Sequence, residues 1–214
     1  MILRFKIMNT KSPILILIAG ASGSGKTTFA NEIIARIPKN TTSVVICQDS
    51  YYISNSQLNK KERRLINYDH PSSFEWELMR EQLSDIKKRK KIKVPIYDYK
   101  TEIRLDKTID ISDVDVIVLE GIYAIYDDVI NQIADLKIFI ETPKDECLIR
   151  RILRDVNERN RSFESVITQW RSTVSPMYDQ FVEPSKKNAN VSVLWNEHNR
   201  VALHLIHKWI NNIH

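Results

Sequence analysis

Ile14-Leu15-Ile16-Leu17-Ile18-Ala19-Gly20-Ala21-Ser22-Gly23-Ser24-Gly25-Lys26-Thr27 decides the fold. Its first six residues are apolar at every position, as a strand covered on both faces of a parallel sheet requires. The next eight fit GxxxxGK[ST] and stand where that pattern works, after a buried strand and at the start of a helix. Backbone N–H groups of such a loop, with the positive end of the helix behind it, bind phosphate oxygens. The triphosphate-binding segment is therefore placed at Gly20, Ala21, Ser22, Gly23, Ser24, Gly25, Lys26, Thr27 and Thr28. Lys26 is expected to reach the β- and γ-phosphates, and the Thr27 hydroxyl to ligate Mg²⁺. The chain has four glycines, and Gly20, Gly23 and Gly25 are three of them. A sequence so poor in glycine keeps it for places where backbone must approach a ligand or take a positive φ.

Outward from this stretch, the pattern alternates. Lys26 to Ile37 reads as a helix with Phe29, Ile33, Ile34 and Ile37 on one side and Pro38 closing it. Short apolar runs at Val44 to Cys47, Val116 to Leu119, Leu136 to Ile140 and Val191 to Leu194 predict further strands. Helical stretches are predicted at Phe74 to Arg89, Asp145 to Glu158, Glu164 to Val174 and Asn199 to Ile213. Strands alternating with helices define an α/β protein with a doubly wound, mainly parallel sheet and helices on both faces. Val94 to Tyr99 and Arg104 to Ile111 flank the polar stretch from Lys100 to Ile103, which predicts a small β-hairpin at about 93–111. With 214 residues and no repeat, low-complexity segment or linker, a single domain is expected.

Composition narrows the partners. Hydrophobic residues make up 43% and charged residues 28%, ordinary for a globular protein and too apolar for a disordered one. The net charge is +5, but the 27 acidic and 32 basic residues are interleaved, so charge alone says little beyond a mixed solvated surface. No basic-aromatic nucleic-acid module is present, and no nucleic-acid partner is expected. Cys47 and Cys147 lie far apart in apolar segments without zinc spacing, and read as small buried residues in a reducing compartment. Ile14 to Ala19 is far shorter than the ~20 residues that span a bilayer. Processing there as a leader would destroy the phosphate loop, so cytoplasmic residence without a membrane partner is expected.

A Mg²⁺ on Thr27 needs more oxygen ligands, and carboxylates at the ends of parallel strands can supply them. Asp49 stands just beyond one strand and Glu120 ends another, so Thr27, Asp49 and Glu120 are the expected metal set. A strand-terminal carboxylate can also merely cap the next helix. A phosphate loop alone does not separate a kinase from a switch GTPase or a mechanical ATPase; the guanine-reading NKxD is lacking.

The acceptor comes from a set of motifs. Gln48-Asp49-Ser50-Tyr51-Tyr52, Asn67-Tyr68-Asp69-His70-Pro71, Pro95-Ile96-Tyr97-Asp98-Tyr99, Leu119-Glu120-Gly121-Ile122 and the run from Arg150 to Arg159 resemble, in order and spacing, the uridine-cytidine kinase family. The likeness spans about Ile14 to Val191. It implies a P-loop NTPase fold with a helical lid at about 150–170, a homotetramer, and transfer of the γ-phosphate of ATP or GTP to the 5′-hydroxyl of uridine or cytidine. Asp49 would then be the catalytic carboxylate, a role its place beside the phosphate loop suits, since it could take or orient the hydroxyl proton. Cationic donors must close over the phosphates. Arg150, Arg151, Arg154, Arg159 and Arg161 are available, the resemblance assigning Arg159 and Arg161 to the triphosphate as lid residues and Arg151 and Arg154 to the active-site face. The alternative is a solvated helix laced by Arg154–Glu158 and Arg151–Asp155 pairs. By the same resemblance Asp69 and Arg154 hold the ribose, while Tyr52, Tyr68, Tyr97 and Gln169 line the base and sugar pocket.

The chain departs from the family pattern in three places. Glu102 stands two residues before Arg104 where a histidine is usual, so an acceptor-only group faces the pyrimidine edge or else solvent. Asn160 replaces a lid glycine, a mild change because Asn tolerates the left-handed region. Leu194 to Asn199 replaces a glycine-containing loop, and no site residue is assigned there. The competing readings are a phosphoribulokinase or pantothenate kinase type of acceptor, against which the NYDHP and PIYDY segments speak, and an acceptor-independent NTPase.

Overall fold

The computed structural model describes residues 12–63, 65–196 and 199–213. In chain order its strands are β1 (Ile14–Gly20), β2 (Ser43–Cys47), β3 (Ile92–Asp98), β4 (Ile103–Ile111), β5 (Val116–Glu120), β6 (Leu136–Glu141) and β7 (Val191–Leu194). The helices that matter here are α1 (Lys26–Ala35), α2 (Lys60–Arg63), α3 (Trp76–Lys87), α4 (Asp128–Ile133), α5 (Lys144–Glu158), α6 (Phe163–Gln169) and a C-terminal helix, Arg200–Ile213. Five strands form one sheet in the order β2-β5-β1-β6-β7, every neighbouring pair parallel. β3 and β4 form a separate antiparallel hairpin.

β1 is central because it is apolar at every position, and all seven of its residues are buried. Its alternate residues face opposite ways. Leu15, Leu17 and Ala19 join Met79, Leu83, Ile117, Leu119 and Tyr123 on one face. Ile14, Ile16 and Ile18 join Phe29, Ile33, Leu203, Ile206 and Ile210 on the other. The sheet is thus wound on both faces, with α3 on one side and α1 and the C-terminal helix on the other. In register, Ile18 and Cys47 both lie opposite Glu120, and Gly20 lies opposite Ile140. The carboxyl ends of β2, β5 and β1 therefore come level, and open α/β sheets place ligands in the crevice outside such ends.

Several boundaries differ from expectation, the helix predicted over Phe74 to Arg89 running only from Trp76 to Lys87. α1 stops at Ala35, because Arg36 N–H and Ile37 N–H turn back to the Ile33 and Ile34 carbonyls at 3.2 and 3.1 Å, leaving Ile37 outside the helix. The hairpin begins at Ile92 and shifts register between Pro95 and Ile96, as a residue without an N–H requires in a ladder. The helix predicted over Glu164 to Val174 becomes a π-turn at Trp170–Val174, and a second follows at Tyr178–Val182. Among the described residues no helix is long and apolar enough to cross a membrane.

Candidate active site

The phosphate loop has the strained backbone that its glycines allow: φ is +84° at Gly23 and +93° at Gly25. A Cβ on Gly23 would lie 2.2 Å from the carbonyl oxygen of Cys147, so the loop is pressed against the first turn of α5. Ala21 and Ser24 are buried, while Thr27 and Thr28 are exposed. Lys26 is buried, and its ammonium donates to the Ala21 carbonyl at 2.8 Å. Burial pulls its pKa down, against the opposing pull of Glu120 and Asp49. Thr27 Oγ1 donates to Glu120 Oε1 at 3.0 Å. Burial raises the Glu120 pKa, Lys26 works against that rise, and Asp49 adds to it.

A hydroxyl and two carboxylates converge here, which are hard oxygen donors of the kind Mg²⁺ takes when substrate phosphates and water complete its shell. Among the described residues no group of three His, Cys, Asp or Glu forms a self-sufficient metal cage.

A cleft of about 860 Å³ opens from Lys26, Thr27, Asp49 and Glu120 toward Tyr52, Tyr68 and Tyr97. Asp49 sits in the single turn Gln48–Tyr51 after β2, and Tyr99 Oη donates to its Oδ2 at 2.9 Å. The three tyrosines form one aromatic wall, with Tyr52 5.5 Å from Tyr68 and 5.0 Å from Tyr97 between ring centroids, and Tyr52 stacked on Phe74. Asp69 is buried at the cleft floor and accepts from Thr173 Oγ1 at 2.8 Å and Gln169 Nε2 at 3.3 Å. Burial raises its pKa, while Arg151 and the Thr173 hydrogen bond oppose that rise. Glu102 takes a left-handed backbone, φ +58°, at the hairpin tip. Of its two readings the inward one holds: it lines the cleft with Tyr68 and Tyr97, and its Oε2 is buried without a hydrogen-bond partner. Arg104 instead fastens the hairpin, donating to the Tyr52 carbonyl and pairing with Glu75 at 2.6 Å.

Arg151 and Arg154 of α5 and Arg159 and Arg161 of the following turn also line the cleft, whereas Arg150 pairs with Glu146 at 3.4 Å. Arg151 is buried and donates to Ser22 Oγ of the phosphate loop at 2.6 Å and to Gln169 Oε1 at 2.9 Å. Arg161 donates to the same Gln169 oxygen and to Ser165. The guanidinium of Arg159 lies 3.7 Å over the Tyr99 ring. Of the two surface pairs weighed from sequence, Arg151–Asp155 forms at 3.6 Å but inside the protein. Arg154 turns to Asp155, at 2.8 Å, instead of to Glu158. Asp155, Tyr99 and Thr173 are the residues that sequence reading missed. Tyr99 lay within the PIYDY segment, whereas Asp155 looked like one half of an exposed helix pair.

A phosphate loop at the carboxyl end of a parallel sheet, with Lys26, Thr27, Asp49 and Glu120 lining one cleft, is the arrangement of a P-loop phosphotransferase. The matching family model, Phosphoribulokinase / Uridine kinase family, covers residues 15–202. The chain belongs to that family. A uridine kinase of Ureaplasma urealyticum serovar 10 is 95% identical over 97% of this chain and 100% of that protein. A uridine kinase of Limosilactobacillus reuteri is 42% identical over 97% and 94%. The solved structure of phosphoribulokinase from Rhodobacter spheroides superposes with a TM-score of 0.61 at 19% identity, covering 85% of this chain and 69% of that one, which is a likeness of fold.

Proposed function

We propose that this chain is a uridine kinase that transfers the γ-phosphate of ATP, or of GTP, to the 5′-hydroxyl of uridine or cytidine. The observation that carries this reading is the position of Asp49. Its carboxylate, oriented by Tyr99, stands in one cleft between the phosphate loop and the tyrosine-lined chamber closed by Asp69 and Glu102. The names of the relatives support the acceptor.

Catalysis of such a transfer is mostly positioning and charge stabilisation. Asp69, in reach of Gln169 and Thr173, is suited to hold ribose hydroxyls with Arg154, and the aromatic wall to cover the pyrimidine. Asp49 then accepts the proton of the 5′-hydroxyl, leaving its oxygen directed at phosphorus. Lys26 leaves the Ala21 carbonyl for the phosphates, and Arg159 and Arg161 close over them and exclude water. Thr27, Glu120 and Asp49 would hold Mg²⁺, which supplies neutralisation of the phosphate oxygens when bound.

A coupled assay of ADP release tests the proposal, with uridine, cytidine, adenosine, ribulose 5-phosphate or pantothenate as acceptor, on wild type and Asp49→Asn. Release confined to the pyrimidine nucleosides and reduced at least about 100-fold in the variant is expected, general acid–base groups contributing roughly that much. Release indifferent to the acceptor would leave an NTPase and sink the reading.

A further inference from the structure

Asp155 has no exposed surface, yet four guanidiniums surround it. Arg154 reaches Oδ1 through Nε at 2.9 Å and Nη2 at 2.8 Å. Arg159 Nη1 is 3.6 Å from Oδ1, Arg151 Nε 3.6 Å from Oδ2 and Arg161 Nη1 3.7 Å from Oδ2. Among the described residues only Arg154 is hydrogen-bonded to the carboxylate, and Oδ2 and Arg151 Nε, both buried, have no hydrogen-bond partner there. One carboxylate thus stands against four cations and engages three of them loosely. Buried charge normally demands tight partners, and a half-engaged cluster is what a group must be if its cations are to leave it.

The backbone supports the same role. α5 ends at Glu158, and Arg161 N–H donates to the Asp155 carbonyl at 3.1 Å, which folds the turn carrying Arg159 and Arg161 back over Asp155. Through Arg151 the cluster reaches Ser22, and through Gln169 it reaches Asp69.

We propose that Asp155 is a positioning residue for phosphoryl transfer, an internal counterion that gathers Arg151, Arg154, Arg159 and Arg161 beside the cleft and releases Arg159 and Arg161 to the triphosphate. This rests on the reading that those two arginines grip the triphosphate. A counterion of this kind competes with phosphate for the same cations. Removing its charge should therefore strengthen polyphosphate binding while the misplaced arginines slow turnover, a split that a merely structural residue would not produce.

The test is calorimetric titration with inorganic tripolyphosphate, alongside steady-state kcat and KM, on wild type, Asp155→Asn, Asp155→Glu, Arg159→Ala and Arg161→Ala. Asp155→Asn is expected to bind tripolyphosphate on the order of tenfold tighter, the scale of losing one competing charge about 10 Å away at an effective dielectric of about 20. Its kcat should fall about tenfold or more, and Asp155→Glu should recover wild-type affinity and part of kcat. Unchanged or weaker binding by folded Asp155→Asn overturns the proposal, as does equal behaviour of the Asn and Glu variants. Should Asp155→Asn not fold, Arg154→Met frees Oδ1 to hold Arg159 and is expected to weaken tripolyphosphate binding; equal or tighter binding refutes it. If Arg159→Ala and Arg161→Ala leave wild-type affinity intact, the lid reading itself fails; if they weaken it and Asp155→Asn does not tighten it, only the role of Asp155 fails.

Discussion

Gly23→Ala should destabilise the fold more than any neighbouring change in the phosphate loop, and the reason can be read from what its Cβ would touch. At φ +84° an L-residue costs about 1–2 kcal/mol. The new Cβ would also lie 2.2 Å from the Cys147 oxygen, 3.0 Å from its carbonyl carbon and 3.2 Å from its Cα, all backbone at the start of α5. Overpacking of that kind costs about 1–3 kcal/mol. Together these give about 2–5 kcal/mol, and at about 2–4 °C per kcal/mol for this size of chain, a fall in Tm centred near 10 °C. Gly25→Ala carries similar strain at φ +93°, but its Cβ meets the Trp195 ring, with Cδ1 at 2.7 Å and Nε1 at 3.0 Å. Trp195 is partly buried against Phe29, but a side chain can shift where backbone cannot. Thermal unfolding without ligand, followed by circular dichroism, should therefore show a smaller loss for Gly25→Ala. Adding Trp195→Ala should recover part of that loss and none of the loss from Gly23→Ala. A Gly23→Ala protein within about 2 °C of wild type, or equal rescue of both variants, would refute this account.

Three further outcomes follow from the site. The buried, unpaired Glu102 Oε2 is suited to an amino group, so wild type should prefer cytidine. Glu102→Gln should move the cytidine-to-uridine ratio of kcat/KM toward uridine by roughly 5- to 100-fold, the span of an unmet buried polar group; an unchanged ratio would remove Glu102 from base selection. Tyr99→Phe removes the hydrogen bond to Asp49 but keeps the ring under Arg159. Its kcat should fall about tenfold with little change in KM for ATP, whereas Tyr99→Leu should raise that KM as well; equal kinetics of the two variants would contradict the division. Far from the cleft, burial pushes the Asp115 carboxyl up, but hydrogen bonds from Thr42 and Arg89 outweigh it and hold it below the ordinary 3.8. A lowered carboxyl pKa gives stability that is present above 3.8 and lost as pH falls through the lowered value. The Tm difference between wild type and Thr42→Val should thus be largest near neutrality and shrink toward pH 3, and a gap independent of pH would exclude Asp115 as its source.

The sheet was legible because β1 and β5 are buried on both faces and so are apolar without interruption up to Glu120, while β6 breaks its apolar run only at half-buried Lys137 and at Glu141, a pattern few other structures need. The phosphate loop was legible because three of four glycines fall within six residues. What escaped reading depends on where chains meet in space. Asp155 and Arg151 have the spacing of an exposed helix pair, and nothing local marks that Gln169 of α6 and the turn carrying Arg159 and Arg161 close over them. The Arg154–Glu158 pair failed for the same reason: a buried carboxylate one residue away offers Arg154 a less screened partner than Glu158 at the surface does. Glu102 could be recognised as a departure, but its inward direction comes from a positive φ at the hairpin tip, and glutamate gives no sign of that conformation in advance.

The cleft is divided between the parallel sheet and the β3–β4 hairpin. The phosphate loop, Glu120 and Asp49 are fixed to the carboxyl ends of β1, β5 and β2, whose register sets them level regardless of what lies above. Tyr97, Tyr99 and Glu102 come from the β3–β4 hairpin, which shares no ladder with that sheet and is pinned through Arg104 to Glu75 and to the Tyr52 carbonyl. Changes in the loop should accordingly alter turnover with every acceptor alike. Changes in the hairpin should redistribute kcat/KM among acceptors, with Tyr99 the exception, because its hydroxyl acts on Asp49 and its ring carries Arg159. From within the hairpin that one residue touches both Asp49 and Arg159.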